Sequence, residues 1–144
     1  MIIKTLIALF LLNISILSFG QTTTVSKIAE EYIEFGSGGG FAPLSKKYIV
    51  TKSGILYAFQ TTRLISDSIT FQKQICKKQV NKIYTLALKK NIQEYSYDQP
   101  GNMYHYIQFN FKNNSNKISW DPNSNMVHPD VIKLYNKLLK ILKI

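Results

Sequence analysis

The chain has 144 residues, of which 45% are hydrophobic and 12% aromatic, and these values are typical of one compact domain. Only 18% of the residues are charged, which is too few for a chain that is disordered throughout. The formal net charge is +10, and the single cysteine excludes an internal disulfide and a cysteine-based zinc site.

Residues 1–20 have the pattern of a cleaved signal peptide. A lysine precedes an apolar stretch from Leu6 to Leu17, small residues follow it, and we place the cleavage between Gly20 and Gln21. The stretch is shorter than the ~20 apolar residues that span a bilayer, and no second stretch follows. We therefore expect an exported protein, periplasmic or extracellular, with no transmembrane segment after cleavage.

After the signal peptide, a flexible lead-in at 21–27 and one domain at 28–144 are predicted. This length is sufficient for a hydrophobic core without a covalent staple. In an oxidising compartment the free Cys76 is therefore expected to be buried and inert.

The first half of the domain has the period of β-strands. Ile33 and Phe35 alternate with polar residues in a first strand, which runs into the glycine-rich segment 36–40, predicted to be a loop or a tight backbone feature. Residues 47–51 and 55–60 form a predicted hairpin around Lys52-Ser53-Gly54, and a weaker strand follows at 68–72.

The period then changes to that of a helix at about 77–90, with Lys78, Lys82 and Lys89 outside its apolar face. After a Pro-Gly turn, strict alternation over 103–111 predicts the strongest strand, and Ile118 with Trp120 indicates its partner. A second amphipathic helix begins at His128-Pro129-Asp130, where proline suits the first helical position. Its apolar face is predicted to be Val131, Leu134, Tyr135, Leu138, Ile141 and Leu142, and that of the first helix Val80, Ile83, Tyr84 and Ala87.

The predicted fold class is α+β. The order is β-β-β-(β)-α-β-β-α, and the hairpin connections indicate a single antiparallel sheet of four to six strands with two helices packed on one face.

The run Phe35-Gly36-Ser37-Gly38-Gly39-Gly40-Phe41, the hairpin around Ser53-Gly54, the segment Pro100-Gly101-Asn102-Met103-Tyr104 and the strand end Ile118-Ser119-Trp120 occur in this order. With its lysine-rich helices, the chain resembles a loosely defined group of small exported bacterial proteins of unknown function. The resemblance implies the fold and an exported location, and it brings no catalytic residues.

Two patches are candidate binding residues. Glycines let a partner's backbone approach closely, so Gly38, Gly39 and Gly40 with Phe41 form the first patch. Tyr104 and Tyr106 alternate with the apolar residues of the strongest strand and form the second. The leading hypothesis is a non-enzymatic binding or interaction module in the cell envelope or outside the cell, whose partner is a protein or an anionic envelope surface.

Two alternatives remain open. A small hydrolase would use His105 with Asp98 or Cys76, and an inhibitor or immunity-type protein would present a loop from a rigid sheet to a target. Specific nucleic-acid binding is not favoured because the chain has one arginine, Arg63. Two histidines without supporting ligand spacing indicate no metal site, and no cofactor is predicted. The bias toward Lys, Asn and Ile also leaves open whether the positive charge is functional or compositional.

Overall fold

A computed structural model describes residues 28–40, 45–62, 65–112 and 114–143. The predicted signal peptide, the predicted lead-in and the candidate residue Phe41 lie outside this part of the chain. The described elements are β1 (Tyr32–Gly39), β2 (Ser45–Thr51), β3 (Ile55–Thr62), β4 (Ile65–Gln74), α1 (Lys77–Lys89), β5 (Asp98–Gln99), β6 (Met103–Phe111), β7 (Asn114–Trp120) and α2 (Pro129–Lys140), with 3-10 turns at Ile92–Glu94 and Ile141–Lys143.

The protein is an α+β domain in which the strands form one sheet, in the order β4-β3-β2-β1-β6-β7-β5. The prediction of four to six antiparallel strands is wrong in two respects. The described sheet has seven strands, and it is mixed because the two-residue strand β5 pairs parallel to β7. Asp98 and Gln99 in β5 lack a periodic pattern, since a strand of two residues is too short to show one.

One face of the sheet carries the hydrophobic core. The register places Ile33 and Phe35 of β1 beside Phe109 and Ile107 of β6, and the alternation puts most of the large buried side chains on this side. Both described helices pack on it. The predicted buried residues of α1 are all buried, and so are those of α2 and its following turn except Leu142, which is half-buried.

Two tyrosines join the helices to the sheet through their hydroxyl groups. The hydroxyl of Tyr84 in α1 lies 3.1 Å from the carbonyl oxygen of Val50, to which it donates. The hydroxyl of Tyr135 in α2 donates to the carbonyl oxygen of Gly36 at 3.0 Å. Each bond is buried and links residues that are far apart in sequence, so each fixes one helix over one position of the sheet.

The helix ends show which local signals decide the structure. Asn91 follows α1 in the left-handed conformation with φ 50°, and His128 caps α2 by accepting a hydrogen bond from the backbone N–H of Asp130. Cys76 precedes α1 without a side-chain cap bond, and the expectation that it is buried is wrong because its side chain is exposed. At this position the chain leaves the sheet edge and enters a helix whose first turn is polar, so no apolar layer covers the thiol.

Candidate functional site

The second face of the sheet, which we call the tyrosine face, carries Tyr104 and Tyr106 of β6. Of the two described helices, neither packs on this face, because the side chains that both helices bury belong to the opposite face. The residues of β1 that share it with the two tyrosines are Tyr32, Glu34, Gly36 and Gly38, as the β1–β6 register shows. It also carries Ile49 and Phe59, which are buried apart from the main core.

Most of the glycine run belongs to the sheet, so the prediction of a loop at 36–40 is wrong for residues 36–39. Glycine alone is a poor strand former, yet here two tyrosine rings occupy the space that side chains on β1 would fill. Gly38 pairs with Tyr104, and a Cβ atom added to Gly38 would lie 2.7 Å from the hydroxyl oxygen of that tyrosine. Gly36 pairs with Tyr106, and its hypothetical Cβ would lie 1.9 Å from the carbonyl oxygen of Lys46 and 3.1 Å from a ring atom of Tyr106.

The described residues of the two predicted patches therefore lie side by side, but Gly38 and Tyr106 are buried, so Gly39, Gly40 and Tyr104 are the accessible ones among them. Where β1 ends, Gly39 and Gly40 have positive φ values of 99° and 74°, and the backbone N–H of Gly40 donates to the carbonyl oxygen of Asn102 at 2.7 Å. This bond holds the end of the glycine run against the start of β6. We call the resulting surface, made of residues 38–40 and 102–104, the Gly–Tyr corner.

A hydrogen-bonded and charged group supports the corner from the middle of the tyrosine face. The buried Tyr106 donates its hydroxyl hydrogen to the carboxylate of Glu34 at 3.0 Å, and the same carboxylate lies 3.9 Å from the ammonium of Lys47. Lys117 of β7 places its ammonium 4.9 Å from the ring centre of Tyr106 and 6.0 Å from that of Tyr104. Both distances are within the range of cation–π attraction, so Lys117 contacts the faces of the two rings while Glu34 binds the hydroxyl group of Tyr106.

The groups that the corner offers to a partner are of three kinds. Gly40 and Asn102 are exposed, Met103 exposes an apolar thioether at the strand end on the side that the helices cover, and Tyr104 offers a half-buried ring with a hydroxyl group on the tyrosine face. Tyrosine and methionine are enriched at protein interfaces, tyrosine because its rigid ring gives a large contact area at low entropic cost, and methionine because its flexible thioether adapts to the surface of a partner. With Lys117 beside it, the corner combines apolar contact with one positive charge and fits binding by surface complementarity.

The structure does not bring together the side chains of the hydrolase alternative. His105 points into the helix-covered face, where its ring stacks on Tyr135 with centres 4.7 Å apart and packs edge-on against Trp120. Burial among these rings lowers the pKa of His105. Asp98 lies on the tyrosine face, where its carboxylate accepts a hydrogen bond from the hydroxyl of the buried Ser119.

Cys76 is far from both of these residues. Cys76 follows the end of β4 and lies near the β2–β3 turn. Measured from that turn, His105 lies about three strands across the sheet and about five residues along the strand direction. Strand spacing converts this offset into a separation on the order of 20 Å. The thiol therefore has no histidine to activate it in this arrangement.

Within residues 28–40, 45–62, 65–112 and 114–143, no group of three or more His, Cys, Asp or Glu side chains is arranged to hold a metal ion. The same part of the chain contains no helix with the length and apolar character needed to cross a membrane. No protein-family model matches the chain, and no curated protein matches it at a significant level.

Sequence reasoning found the glycines and tyrosines of the corner but missed Asn102, Met103 and Lys117. The first two follow the Pro-Gly turn, and their role depends on the register that brings this turn beside the end of β1. The local sequence gives no indication of a role for Lys117, because its position over the rings depends on the pairing of Lys117 in β7 with Gln108 in β6.

Proposed function

We propose that this protein is a non-enzymatic binding module that contacts a protein partner through the Gly–Tyr corner. The observation that carries the proposal is that two segments more than sixty residues apart in sequence, the glycine run and the Pro-Gly-Asn turn, meet through the bond from Gly40 to Asn102. Each segment contributes exposed atoms, and neither is needed to complete the main core. The proposal includes the sequence-based expectation that the mature chain is exported.

The rigidity of the corner supports a binding role. Glycines in a loop would lose backbone freedom on binding a partner, whereas Gly38 and Gly39 are already ordered by pairing with β6. The ring of Tyr104 is restrained by the flat backbone of Gly38 below it and by Lys117 beside it. A surface ordered before contact binds with a smaller entropic cost.

The separation of His105, Asp98 and Cys76 favours this role over the hydrolase alternative. An enzyme of that kind needs a nucleophile and its base within hydrogen-bond reach. His105 instead contributes its ring to the aromatic packing around Tyr135, and Asp98 anchors the short strand β5 through Ser119.

Site-specific photo-crosslinking in the native host tests the proposal. A photoreactive amino acid replaces Met103, which is 53% exposed in the corner, or Met126, which is 73% exposed outside it and is the matched control. We expect a discrete crosslinked protein from position 103 and none from position 126. Adding Tyr104→Ala to the first variant should reduce the crosslinked fraction by about 30-fold, the effect of losing a contact worth ~2 kcal/mol.

The proposal fails if position 103 gives no discrete product, if position 126 gives the same product, or if Tyr104→Ala leaves the yield unchanged. Circular dichroism of the Tyr104→Ala variant controls for folding, since this half-buried ring lies outside the main core. A crosslinked partner that is an enzyme inhibited by the purified chain would identify the inhibitor form of this function.

A further inference from the structure

The positive charge of the protein is concentrated in its helices. We define the helical layer as residues 77–90 and 129–143, which comprise α1, α2 and their C-terminal ends. This layer contains nine lysines and one acidic residue, Asp130, whereas the other described residues contain six lysines and seven acidic residues. A compositional excess of lysine alone would not remove the acidic residues from one layer. The nine lysines are Lys77, Lys78, Lys82, Lys89, Lys90, Lys133, Lys137, Lys140 and Lys143.

A groove of about 730 Å³ runs along α1 beside α2 and is lined mainly by these lysines. Lys78, Lys82 and Lys89 follow one stripe of α1 at helical spacing, and Lys137 faces them from α2. The remaining lining residues are Lys77, Asn81, Thr85 and Leu86, so the described lining contains no carboxylate. A smaller cavity of about 140 Å³ extends the groove between the helices toward Lys140.

The lysines of the groove are not neutralised within the described part of the chain. Lys90 pairs with Asp130 at 3.5 Å outside the groove, and on the sheet side Lys47 and Lys52 have carboxylate partners. For Lys78, Lys82 and Lys137, no acidic group of the described residues lies within ion-pair distance. Lysines spaced four residues apart on one helix repel each other, so this arrangement lowers stability unless an anion screens it.

We infer that the groove binds a linear polyanion, a polymer with phosphate groups along its length. The lysines of the groove follow the length of α1, and Lys137 of α2 faces them, which fits a linear chain lying along α1. The apolar faces of α1 and α2 are buried in the core, and Leu88 is the one exposed large apolar side chain among the described residues of the layer, so the layer has no apolar stripe for insertion into lipid. The groove lies on the helix side of the molecule, whereas Tyr104 of the corner lies on the opposite face of the sheet, and the inference does not depend on the function proposed for that corner.

Binding of sodium polyphosphate to the full chain, measured at several salt concentrations, tests the inference. The groove variant combines Lys82→Gln with Lys137→Gln. The control variant combines Lys46→Gln with Lys112→Gln, two exposed lysines outside the helical layer that remove the same net charge. Orthophosphate serves as the monomeric probe, and vesicles of phosphatidylglycerol, compared with phosphatidylcholine, serve as the lipid probe.

We expect polyphosphate to bind with a logarithmic salt slope that falls by about 1.5 units in the groove variant, because each lost phosphate contact contributes roughly 0.7–0.9. Its affinity should fall at least about tenfold at low salt, against about twofold in the control, where only long-range attraction is lost. Orthophosphate should bind far more weakly than the polymer because it spans one lysine at a time.

Three results would overturn the inference: no binding of polyphosphate at low salt, equal weakening in the groove and control variants, or binding of phosphatidylglycerol vesicles without binding of polyphosphate. Thermal unfolding of both variants verifies that exposed Lys→Gln changes leave the fold intact.

Discussion

The tyrosines that join the helices to the sheet should make the protein unstable in alkali. Burial raises the pKa of Tyr135 to about 12 from its ordinary value of 10.0, and burial also raises the pKa of Tyr84. A phenol that ionises at pH 10 in the unfolded chain but at a higher pH in the fold gives a stability contribution that is complete below pH 10. This contribution is lost as the pH rises through the folded value.

The magnitude for Tyr135 follows from the two pKa values. At pH 11 the unfolded phenol is mostly ionised and the folded one mostly neutral, so about 1.4 kcal/mol of the free energy of unfolding is lost. Above pH 12 the loss approaches ~2.7 kcal/mol. Tyr135→Phe removes this dependence, but at neutral pH it loses the hydrogen bond to Gly36 and should cost ~1 kcal/mol.

Urea unfolding at pH 7, 9, 10 and 11 measures both effects. The wild-type chain should be more stable than Tyr135→Phe at pH 7 and should lose this advantage by about pH 11. Tyr57→Phe is the matched control, because this half-buried tyrosine lies on the tyrosine face outside the main core. If the wild type and Tyr135→Phe keep a constant difference across this pH range, the assignment of alkaline sensitivity to Tyr135 is wrong.

Three further predictions concern single residues. Gly36→Ala should prevent folding or lower the free energy of unfolding in urea by more than ~3 kcal/mol, because the new Cβ would overlap the backbone carbonyl of Lys46. Gly38→Ala should lower it by only ~1 kcal/mol, because there the end of the Tyr104 side chain can move. His105→Phe should remove a loss of thermal stability in acid. Because the pKa of the folded imidazole is lowered, the folded state resists protonation, and the stability present above pH 6.5 falls as the pH drops through the folded value. The control variant His128→Asn should still show this loss. Cys76→Ser should raise the free energy of unfolding by ~1 kcal/mol, because Cys76 makes no cap hydrogen bond and serine is a good N-cap; an unchanged urea midpoint would contradict this.

The elements that were predicted correctly are those whose apolar residues repeat with a clear period. The alternation over Met103–Phe111 and the apolar stripes of α1 and α2 need only the local sequence, because one face of each element must be buried. Gly54, with φ 99°, likewise occupies the predicted hairpin turn.

The glycine run was misassigned because its packing partners are distant in sequence. Glycine normally interrupts a strand, and the compensating rings of Tyr104 and Tyr106 are brought to Gly38 and Gly36 only by the β1–β6 register. The same register brings the two candidate patches together, so the sequence could name the glycines and Tyr104 of the corner but neither Asn102 and Met103 nor the contact between the two segments. The concentration of lysine on one side was visible in the helices, but the groove depends on how the two helices pack together.

The position of β1 in the middle of the sheet has a consequence for biosynthesis. Its partner on one side, β2, follows within a few residues. Its partner on the other side is β6, and Gly39 cannot pair with Met103 until that residue emerges from the ribosome, more than sixty residues later. Throughout that interval the β6-facing edge of β1 is open to pairing with other nascent chains. Glycines at 36, 38 and 39 make this edge a poor template for such aggregation, because they add no side chains to an intermolecular zipper. The glycines that shape the corner in the folded protein thus also protect the incompletely synthesised chain from aggregation.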